Sequence, residues 1–270
     1  DIESLTFNIN PERIEEKITQ KTKAILVVHV FGQPAEMGTI LEIAKKHQLL
    51  VIEDAAESFG SKYNGRHLGT IGDVGVYAFY PNKQMTTGEG GMIVTNSSKI
   101  HDLCKSMRNQ GRNANEDWLI HERLGYNYRM DEMSASLGVT QLQKIDWMNE
   151  KKRDIVRWYK EELSGLKTVV LPSPDSESAS SLFVYVIRIV NGVRDRVMDA
   201  LNKKKIQTKP YFPVIHLQPY MKKMFGFKKG DFPVAELMAS QTLALPFYIG
   251  LSKQDIAYIS REIRKALESS

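Results

Sequence analysis

Two apolar runs separated by a short helical segment constrain the fold of this chain most strongly. The run KAILVVHV, which begins at Lys23, is rich in β-branched residues and predicts a strand buried on both faces. A helix predicted from about Ile40 to His47 leads into the second run, LLVIEDAA. Strand, helix and strand in this order form a parallel βαβ unit, so the chain is expected to begin as an α/β sheet.

Further patterns divide the chain into a larger and a smaller part. Strands are predicted at DVGVYAFY and GGMIVTN, followed by a helix from about Ser98 to Asn109, and NPERIEEKIT predicts an earlier amphipathic helix. A long helical stretch follows GYNYRM, and residues 171–181 are rich in serine and proline, which is typical of a loop. We therefore expect a large α/β domain over residues 1–125. An interdomain helix and a small α+β domain, with strand LFVYVIRIV and helices RDRVMDALNKK and LSKQDIAYISREIRKAL, are expected over 126–270.

Composition narrows the classes of protein that this chain can belong to. Its net charge is +5, but basic and acidic residues are interspersed, so no nucleic-acid partner is expected, and the run Lys203, Lys204, Lys205 is interpreted as a solvated helix end. The apolar runs are too short to cross a bilayer, and no membrane partner is expected. Cys104 is the only cysteine, which excludes an intrachain disulfide and a cysteine-built metal site. A cytoplasmic enzyme without metal is expected, and the opening stretch reads like the middle of a domain, so we expect a fragment.

Two charged residues follow predicted strands and are candidates for chemistry. Asp54 ends the run LLVIED, where a carboxylate either caps a turn or holds a cationic nitrogen of a cofactor. Lys83 follows the next strand, in YPNKQMTTGEGG, and is either a surface lysine or a Schiff-base lysine. Gly88, Gly90 and Gly91 favour the second interpretation, because glycines allow the backbone to come close to a ligand.

The stretch VIEDAAESFGSKYNGRHLGTIGDVGVYAFYPNKQMTTGEGGMIVTN, together with GYNYRM and PYFPVIHLQPY, resembles the DegT/StrS-type pyridoxal-phosphate-dependent sugar aminotransferases. The resemblance covers essentially the whole chain, and EDAAESFGSKYNGR is similar to perosamine-synthase-like members. It implies the aspartate-aminotransferase (fold type I) architecture, with a partial pyridoxal-phosphate-binding domain at 1–125. It also implies that Lys83 is the Schiff-base lysine and proton shuttle, Asp54 the partner of the pyridine nitrogen, and Glu57 a neighbour of the cofactor ring.

The same resemblance implies an assembly, substrates and further site residues. Asn127 is expected to reach across a homodimer interface to the cofactor phosphate of the other subunit. The implied reaction transfers an amino group, with glutamate as the expected donor, to a nucleotide-linked keto-sugar in polysaccharide biosynthesis. His216 is a candidate for the sugar site or a structural histidine of a proline-rich turn, and Arg129 either pairs with phosphate or bonds a helix acid. His29, inside a predicted strand, is interpreted as a core histidine.

Three departures and several alternatives stand beside this hypothesis. Glu57 occupies a position where many members have glutamine, Ala78 one where serine is common, and the family's opening segment is expected to be absent. The alternatives are a catalytically incompetent fragment of such an enzyme and a nucleotide-cofactor oxidoreductase. A sugar dehydratase of the same family would have histidine in place of Lys83. The oxidoreductase rests on the βαβ unit alone, because no G-x-G-x-x-G follows a strand.

Overall fold

A computed structural model describes residues 1–113, 120–172 and 181–268 of the chain. The strands are β1 (Ala24–Val28), β2 (Leu50–Asp54), β3 (Lys62–Tyr63), β4 (Arg66–His67), β5 (Val74–Ala78), β6 (Gly91–Val94), β7 (Val169–Val170), β8 (Tyr185–Ile189) and β9 (Thr242–Leu245). The helices are α1 (Met37–His47), α2 (Ser98–Arg108), α3 (Glu132–Leu142), α4 (Ile145–Leu163), α5 (Arg194–Lys203), α6 (Pro219–Phe225), α7 (Pro233–Gln241) and α8 (Lys253–Glu268).

The larger sheet has the strand order β1-β2-β5-β6. Strands β1, β2 and β5 run parallel, and β6 pairs antiparallel with β5. Helix α1 connects β1 to β2, which confirms the predicted βαβ unit and the α/β fold class. The apolar side chains of β1, β2 and α1 pack into one core that includes Ile25, Val27, Met37, Ile40 and Val51. This core fixes the sheet whose carboxyl edge carries Asp54.

The prediction that β1 is buried on both faces is wrong. Ile25 and Val27 are buried, whereas Leu26 and Val28 on the opposite face are exposed. The physical reason is that side chains of a strand alternate between faces, and only one face of β1 is covered by the core around α1. Leu26 and Val28 instead line an open groove.

The predicted N-terminal α-helix is also wrong. The segment forms two 3₁₀ turns, Pro11–Arg13 and Glu15–Lys17. Asn10 does cap the first turn, since its side chain accepts a hydrogen bond from the backbone N–H of Glu12 at 3.0 Å. Ile18 then adopts extended backbone, so the turns end before an α-helix develops.

A second sheet forms from the later part of the chain, in the antiparallel order β7-β8-β9. It packs with α4, α5 and α8 around a core of its own, in which Tyr159, Tyr185, Ile187, Leu201 and Ile256 are fully buried. The predicted division at residue 125 stays a prediction, and most of the loop predicted at 171–181 lies outside the described residues. None of the helices in the described ranges is long and apolar enough to cross a membrane.

Candidate active site

The carboxyl edge of the larger sheet brings the predicted acid and lysine to the same side of the molecule. Asp54 is the last residue of β2, and its register partner on the parallel strand β5 is Val76. The chain leaves β5 two residues later and turns at once, because the backbone N–H of Lys83 bonds the carbonyl of Tyr80 at 2.9 Å. Because β2 and β5 are neighbouring parallel strands, Asp54 and Lys83 both lie at the carboxyl edge of the sheet, as the sequence predicts.

The ammonium group of Lys83 faces inward rather than toward solvent. Its Nζ lies 3.5 Å from Oε1 of Glu57 and 4.4 Å from the ring centroid of Phe183. Both charged side chains are shielded, with exposed fractions of 16% for Lys83 and 14% for Glu57. A carboxylate and an aromatic face are both favourable neighbours for a cation, so this amine is held in a defined position.

Glu57 has an unusual environment for a carboxyl group. Its Oε2 accepts one backbone hydrogen bond, from the N–H of Phe31 at 3.2 Å. Burial raises the pKa of Glu57 above its usual range, although the Lys83 charge and the Phe31 hydrogen bond lower it in part. Glu57 is therefore closer to carrying a proton near neutral pH than an ordinary glutamate.

Asp54 keeps one side of its carboxylate open. Oδ1 accepts a hydrogen bond from the N–H of Ala56 at 3.0 Å, and no hydrogen bond to Oδ2 is found within the described residues. The charge of Asp54 also acts, as a minor cause, to raise the pKa of Glu57. An anion with a free acceptor oxygen suits a cationic ring nitrogen.

The loop after Lys83 is compact and requires glycine at one point. Gly90 has φ of +149°, and a β-carbon there would lie 2.5 Å from Oγ1 of Thr87. Thr87 donates to the carbonyl of Glu89 at 2.6 Å, and the carbonyl of Gly90 accepts from the N–H of Phe79 at 2.9 Å. The loop thus folds back onto the end of β5, which explains why glycine stands at position 90.

Sequence reasoning missed the residues that close the site from the second part of the chain. Gln84 donates from Nε2 to the carbonyl of Glu57 and, at 2.9 Å, to the carbonyl of Ser181. The N–H of Ser181 bonds Oγ of Ser61 at 2.6 Å. These bonds dock the segment that carries Phe183 over Lys83. The position of Gln84 beside Lys83 was a usable signal, whereas nothing local marks Ser181 or Phe183.

Three other predicted site residues lie elsewhere among the described residues. Asn127 is exposed and forms an isolated β-bridge with Asn109. Arg129 is exposed and donates to Oδ1 of Asn109 at 2.6 Å, so it bonds an asparagine rather than the helix acid considered above. His216 is buried, with Nε2 3.0 Å from Oε1 of Glu236. The structure places Lys83 in contact with Glu57, and among the described residues it shows no contact of these three other residues with Lys83.

His29 is a core histidine, as predicted. Its Nδ1 accepts the N–H of Ala35 at 3.2 Å, so Nε2 carries the proton and donates to Oε2 of Glu53 at 3.0 Å. Glu53 also accepts three backbone N–H groups, from Gly69, Ile71 and Gly72. Burial alone would raise the pKa of Glu53, but these hydrogen bonds outweigh it and lower the pKa.

An apolar groove of about 520 Å³ opens beside the site. It is lined by Leu26, Val28, Phe31, Tyr211 and Phe212, among others. Burial, together with the nearby charge of Glu57, raises the pKa of Tyr211 to about 12, so its hydroxyl keeps its proton. The groove therefore offers aromatic surfaces and a phenol close to Glu57.

Comparisons with known proteins agree on one family. A model described as the DegT/DnrJ/EryC1/StrS aminotransferase family matches residues 1–264. The chain is 37% identical to GDP-perosamine synthase of Escherichia coli O157:H7, over 98% of this chain and 71% of that protein. Its fold is similar to Helicobacter pylori PseC, an aminotransferase of pseudoaminic acid biosynthesis, at a TM-score of 0.94 and 25% identity, covering 100% and 73% of the two chains. It is also similar to NtdA of Bacillus subtilis with bound cofactor PMP, at a TM-score of 0.88 and 27% identity, covering 99% and 62%.

Proposed function

This chain belongs to the DegT/DnrJ/EryC1/StrS aminotransferase family, and we propose that it transfers an amino group from glutamate to a nucleotide-linked keto-sugar with pyridoxal phosphate as cofactor. One observation carries the proposal: the shielded amine of Lys83 lies 3.5 Å from a carboxyl oxygen of Glu57, at the sheet edge where β2 ends with Asp54. A cytoplasmic location remains a prediction from the sequence.

The donor set fits pyridoxal phosphate. An inward amine, an aspartate with an open oxygen and a glycine loop that lets the backbone come close are the groups that this cofactor needs. Bound pyridoxal phosphate supplies an aldehyde carbon for an amine and a ring that withdraws electrons. Asp54, Glu57 and Lys83 would hold it, with Asn127 contributed by the partner subunit.

Lys83 is the residue that we assign to proton transfer. Its Nζ is anchored between the Glu57 carboxyl and the Phe183 ring, so a proton can be taken up and returned at one defined atom. Phe183 and the docked segment at Ser181 restrict water at this atom, since both lie over the site. Asp54 supplies a fixed negative charge at the carboxyl edge of the sheet.

Glu57 can act as the glutamine of other members does. A glutamine amide donates a hydrogen bond, whereas an ionised carboxylate only accepts. Because burial raises the pKa of Glu57, a neutral carboxyl with a donor O–H is accessible there. We therefore propose that Glu57 donates to the phenolic oxygen of the cofactor when it is protonated.

A homodimer is part of the proposal. Apolar side chains are exposed around Asn127 and along α3, and they include Leu124, Tyr126, Tyr128, Met133, Val139 and Leu142. Such a surface is typical of a protein interface. A second copy covering it would bring Asn127 to the edge of a neighbouring subunit.

The decisive experiment is covalent labelling followed by turnover. Purified protein is incubated with pyridoxal phosphate, reduced with borohydride and digested, and the modified peptide is identified by mass spectrometry. We expect the label on Lys83 and its loss in Lys83→Ala, while Lys62→Ala, at an exposed lysine, keeps it.

Glutamate and a panel of nucleotide-linked 4-keto- and 3-keto-sugars then test the substrate class, with the amino sugar and 2-oxoglutarate as measured products. An unlabelled Lys83 in a folded protein would refute the cofactor assignment. A labelled Lys83 without any amino sugar would refute the transfer reaction in this chain and favour the incompetent alternative.

A further inference from the structure

A basic and aromatic patch lies on the surface of the later part of the chain. It comprises the exposed side chains of the segment 215–231, whose sequence is IHLQPYMKKMFGFKKGD and which contains α6. Its apolar members are each more than half exposed: Ile215 at 68%, Tyr220 at 64%, Met224 at 57% and Phe225 at 58%. Four large apolar side chains in this state lie within eleven residues of sequence, which is a concentration rather than scattered exposure.

The patch has an ordered support. Tyr220 and Met224 are one helical turn apart, and the Tyr220 hydroxyl lies 3.1 Å from Sδ of Met224. The ring of Phe225 lies 5.8 Å from that of Phe227, which in turn packs against Phe232 at 5.6 Å. Phe227 and Phe232 are only partly exposed, so they anchor the segment while its neighbours point outward.

The positive charges of the patch are uncompensated. Lys222, Lys223, Lys228 and Lys229 are exposed, and none of them has an ion-pair partner within the described residues. The carboxylate of Asp231 accepts the backbone N–H of Lys228 at 2.9 Å.

The next acid along the chain is also occupied. Glu236 accepts the N–H of Gly230 at 2.7 Å and contacts His216 at 3.0 Å. Asp231 and Glu236, the acids nearest the patch, therefore already bond backbone N–H groups and His216. The four lysines remain able to bind an external anion.

We propose that this patch docks the protein on an anionic lipid surface. Lysines beside exposed aromatic and thioether side chains suit a membrane interface, where apolar groups enter the acyl boundary and ammonium groups reach the headgroup phosphates. Apart from its lysines, the stretch 219–229 carries one polar side-chain group, the Tyr220 hydroxyl, which already contacts Met224. A protein partner would be recognised with more directional hydrogen-bonding groups than this surface offers, so headgroup chemistry matches it better.

The expected affinity follows from the number of lysines. Each lysine near a negatively charged leaflet strengthens binding roughly fivefold, so removing three charges weakens it on the order of a hundredfold. The attraction falls off within a Debye length, so added salt releases the protein. Phe225 adds an apolar contribution that salt does not screen.

The test is vesicle cosedimentation of the full chain. Vesicles of phosphatidylcholine alone are compared with vesicles in which roughly a third of the lipid is phosphatidylglycerol, at low and high salt. The triple variant K222Q/K223Q/K228Q removes charge from the patch. The matched control K203Q/K204Q/K205Q removes the same charge from the exposed end of α5, and circular dichroism checks that both variants are folded.

We expect salt-sensitive binding to the anionic vesicles, weakened about a hundredfold in K222Q/K223Q/K228Q and retained in K203Q/K204Q/K205Q. Phe225→Ser should weaken the binding that remains at high salt. Equal loss in the two triple variants would overturn the proposal, because net charge alone would then be responsible. Absence of binding by the unmodified protein would also overturn it and leave an acidic protein or a second copy as occupant. Cosedimentation requires no catalysis, so neither result bears on the proposed aminotransferase reaction.

Discussion

Lys152 is a partly buried lysine outside the proposed chemistry, and replacing it should change how the free energy of unfolding depends on pH. Its Nζ donates to the carbonyl of Leu182 at 3.4 Å and lies 5.6 Å from the ring centroid of Phe247. Burial lowers the pKa of Lys152 from 10.5 to about 8. The perturbation is Lys152→Met, which keeps a flexible side chain of similar length and removes the charge.

The expected change in the free energy of unfolding follows from the protons that the folded and unfolded chains bind. Below pH 8 the amine is protonated in both states, and burying it costs the native state about 3 kcal/mol, the equivalent of the pKa difference. Between about pH 8 and 10.5 the unfolded chain holds a proton that the folded chain has released. The free energy of unfolding therefore rises with pH in this window. Lys152→Met removes the penalty but also loses the Leu182 bond, worth roughly 1 kcal/mol.

The assay is urea unfolding followed by circular dichroism at a series of pH values from 7 to 10.5. At pH 7, Lys152→Met should be more stable than the unmodified protein by about 2 kcal/mol, and by pH 10.5 it should be less stable by roughly 1 kcal/mol. The difference between the two proteins is the quantity to follow. Burial of Tyr159 raises its pKa, so both proteins lose stability alike once unfolded tyrosine ionises near pH 10.

Lys151→Met provides the matched control, because Lys151 is the exposed neighbour on the same helix. Because the Lys151 side chain is already exposed to solvent, removing its charge should not stabilise the protein at pH 7. A difference between Lys152→Met and the unmodified protein that stays constant from pH 7 to 10.5 would refute the reasoning, since Lys152 would then titrate alike in both states.

Two further perturbations test the sheet that positions the site. Glu53→Gln should destabilise the protein by about 2 to 6 kcal/mol in urea unfolding, because the amide NH2 replaces one acceptor oxygen and leaves two of the four buried N–H donors unpaired, at about 1 to 3 kcal/mol each. Since the pKa of Glu53 is lowered, its contribution is present above about pH 4.5 and is lost as pH falls through the folded pKa, so the two proteins should converge in acid. Gly75→Ala should prevent folding or lower the melting temperature strongly, because a β-carbon would lie 1.8 Å from the carbonyl oxygen of Gly69. Gly65→Ala, which meets no atom within 4 Å, should cost only about 1 kcal/mol of backbone strain, and equal costs at the two positions would contradict the steric argument.

The sequence predicts the part of the site that local pattern and sheet topology control. The β-branched runs around α1 identify the parallel unit, and parallel neighbours place Asp54 and Lys83 at one edge before any coordinates are known. The glycines after Lys83 indicate from the sequence a loop with unusual backbone geometry. The structure bears this out at Gly90, where a β-carbon would lie 2.5 Å from Oγ1 of Thr87. These features depend on residues close together in sequence or on a general rule of sheet topology.

The remaining features depend on contacts between distant segments. Phe183 lies over Lys83 although one hundred positions separate them, and its placement requires the bond from Gln84 to Ser181. Which face of β1 is exposed depends on the segments that pack against the strand. The run of apolar residues in the sequence does not identify those segments. The partner of His216 is Glu236, and no motif links the two.

The pair Glu53 and Glu57 shows how environment assigns different chemistry to one residue type. Both stand in the single stretch EDAAE, and both are shielded from solvent. Glu53 meets three backbone N–H groups and His29, all fixed by the fold, so it stays ionised and ties β2 to the turn at Gly69. Glu57 meets one backbone N–H and the ammonium of Lys83, so burial prevails and its pKa rises. A fixed set of donors makes the first glutamate structural. The second has one fixed backbone donor and otherwise faces the amine that we propose reacts with the cofactor, so its pKa depends on the charge of that side chain.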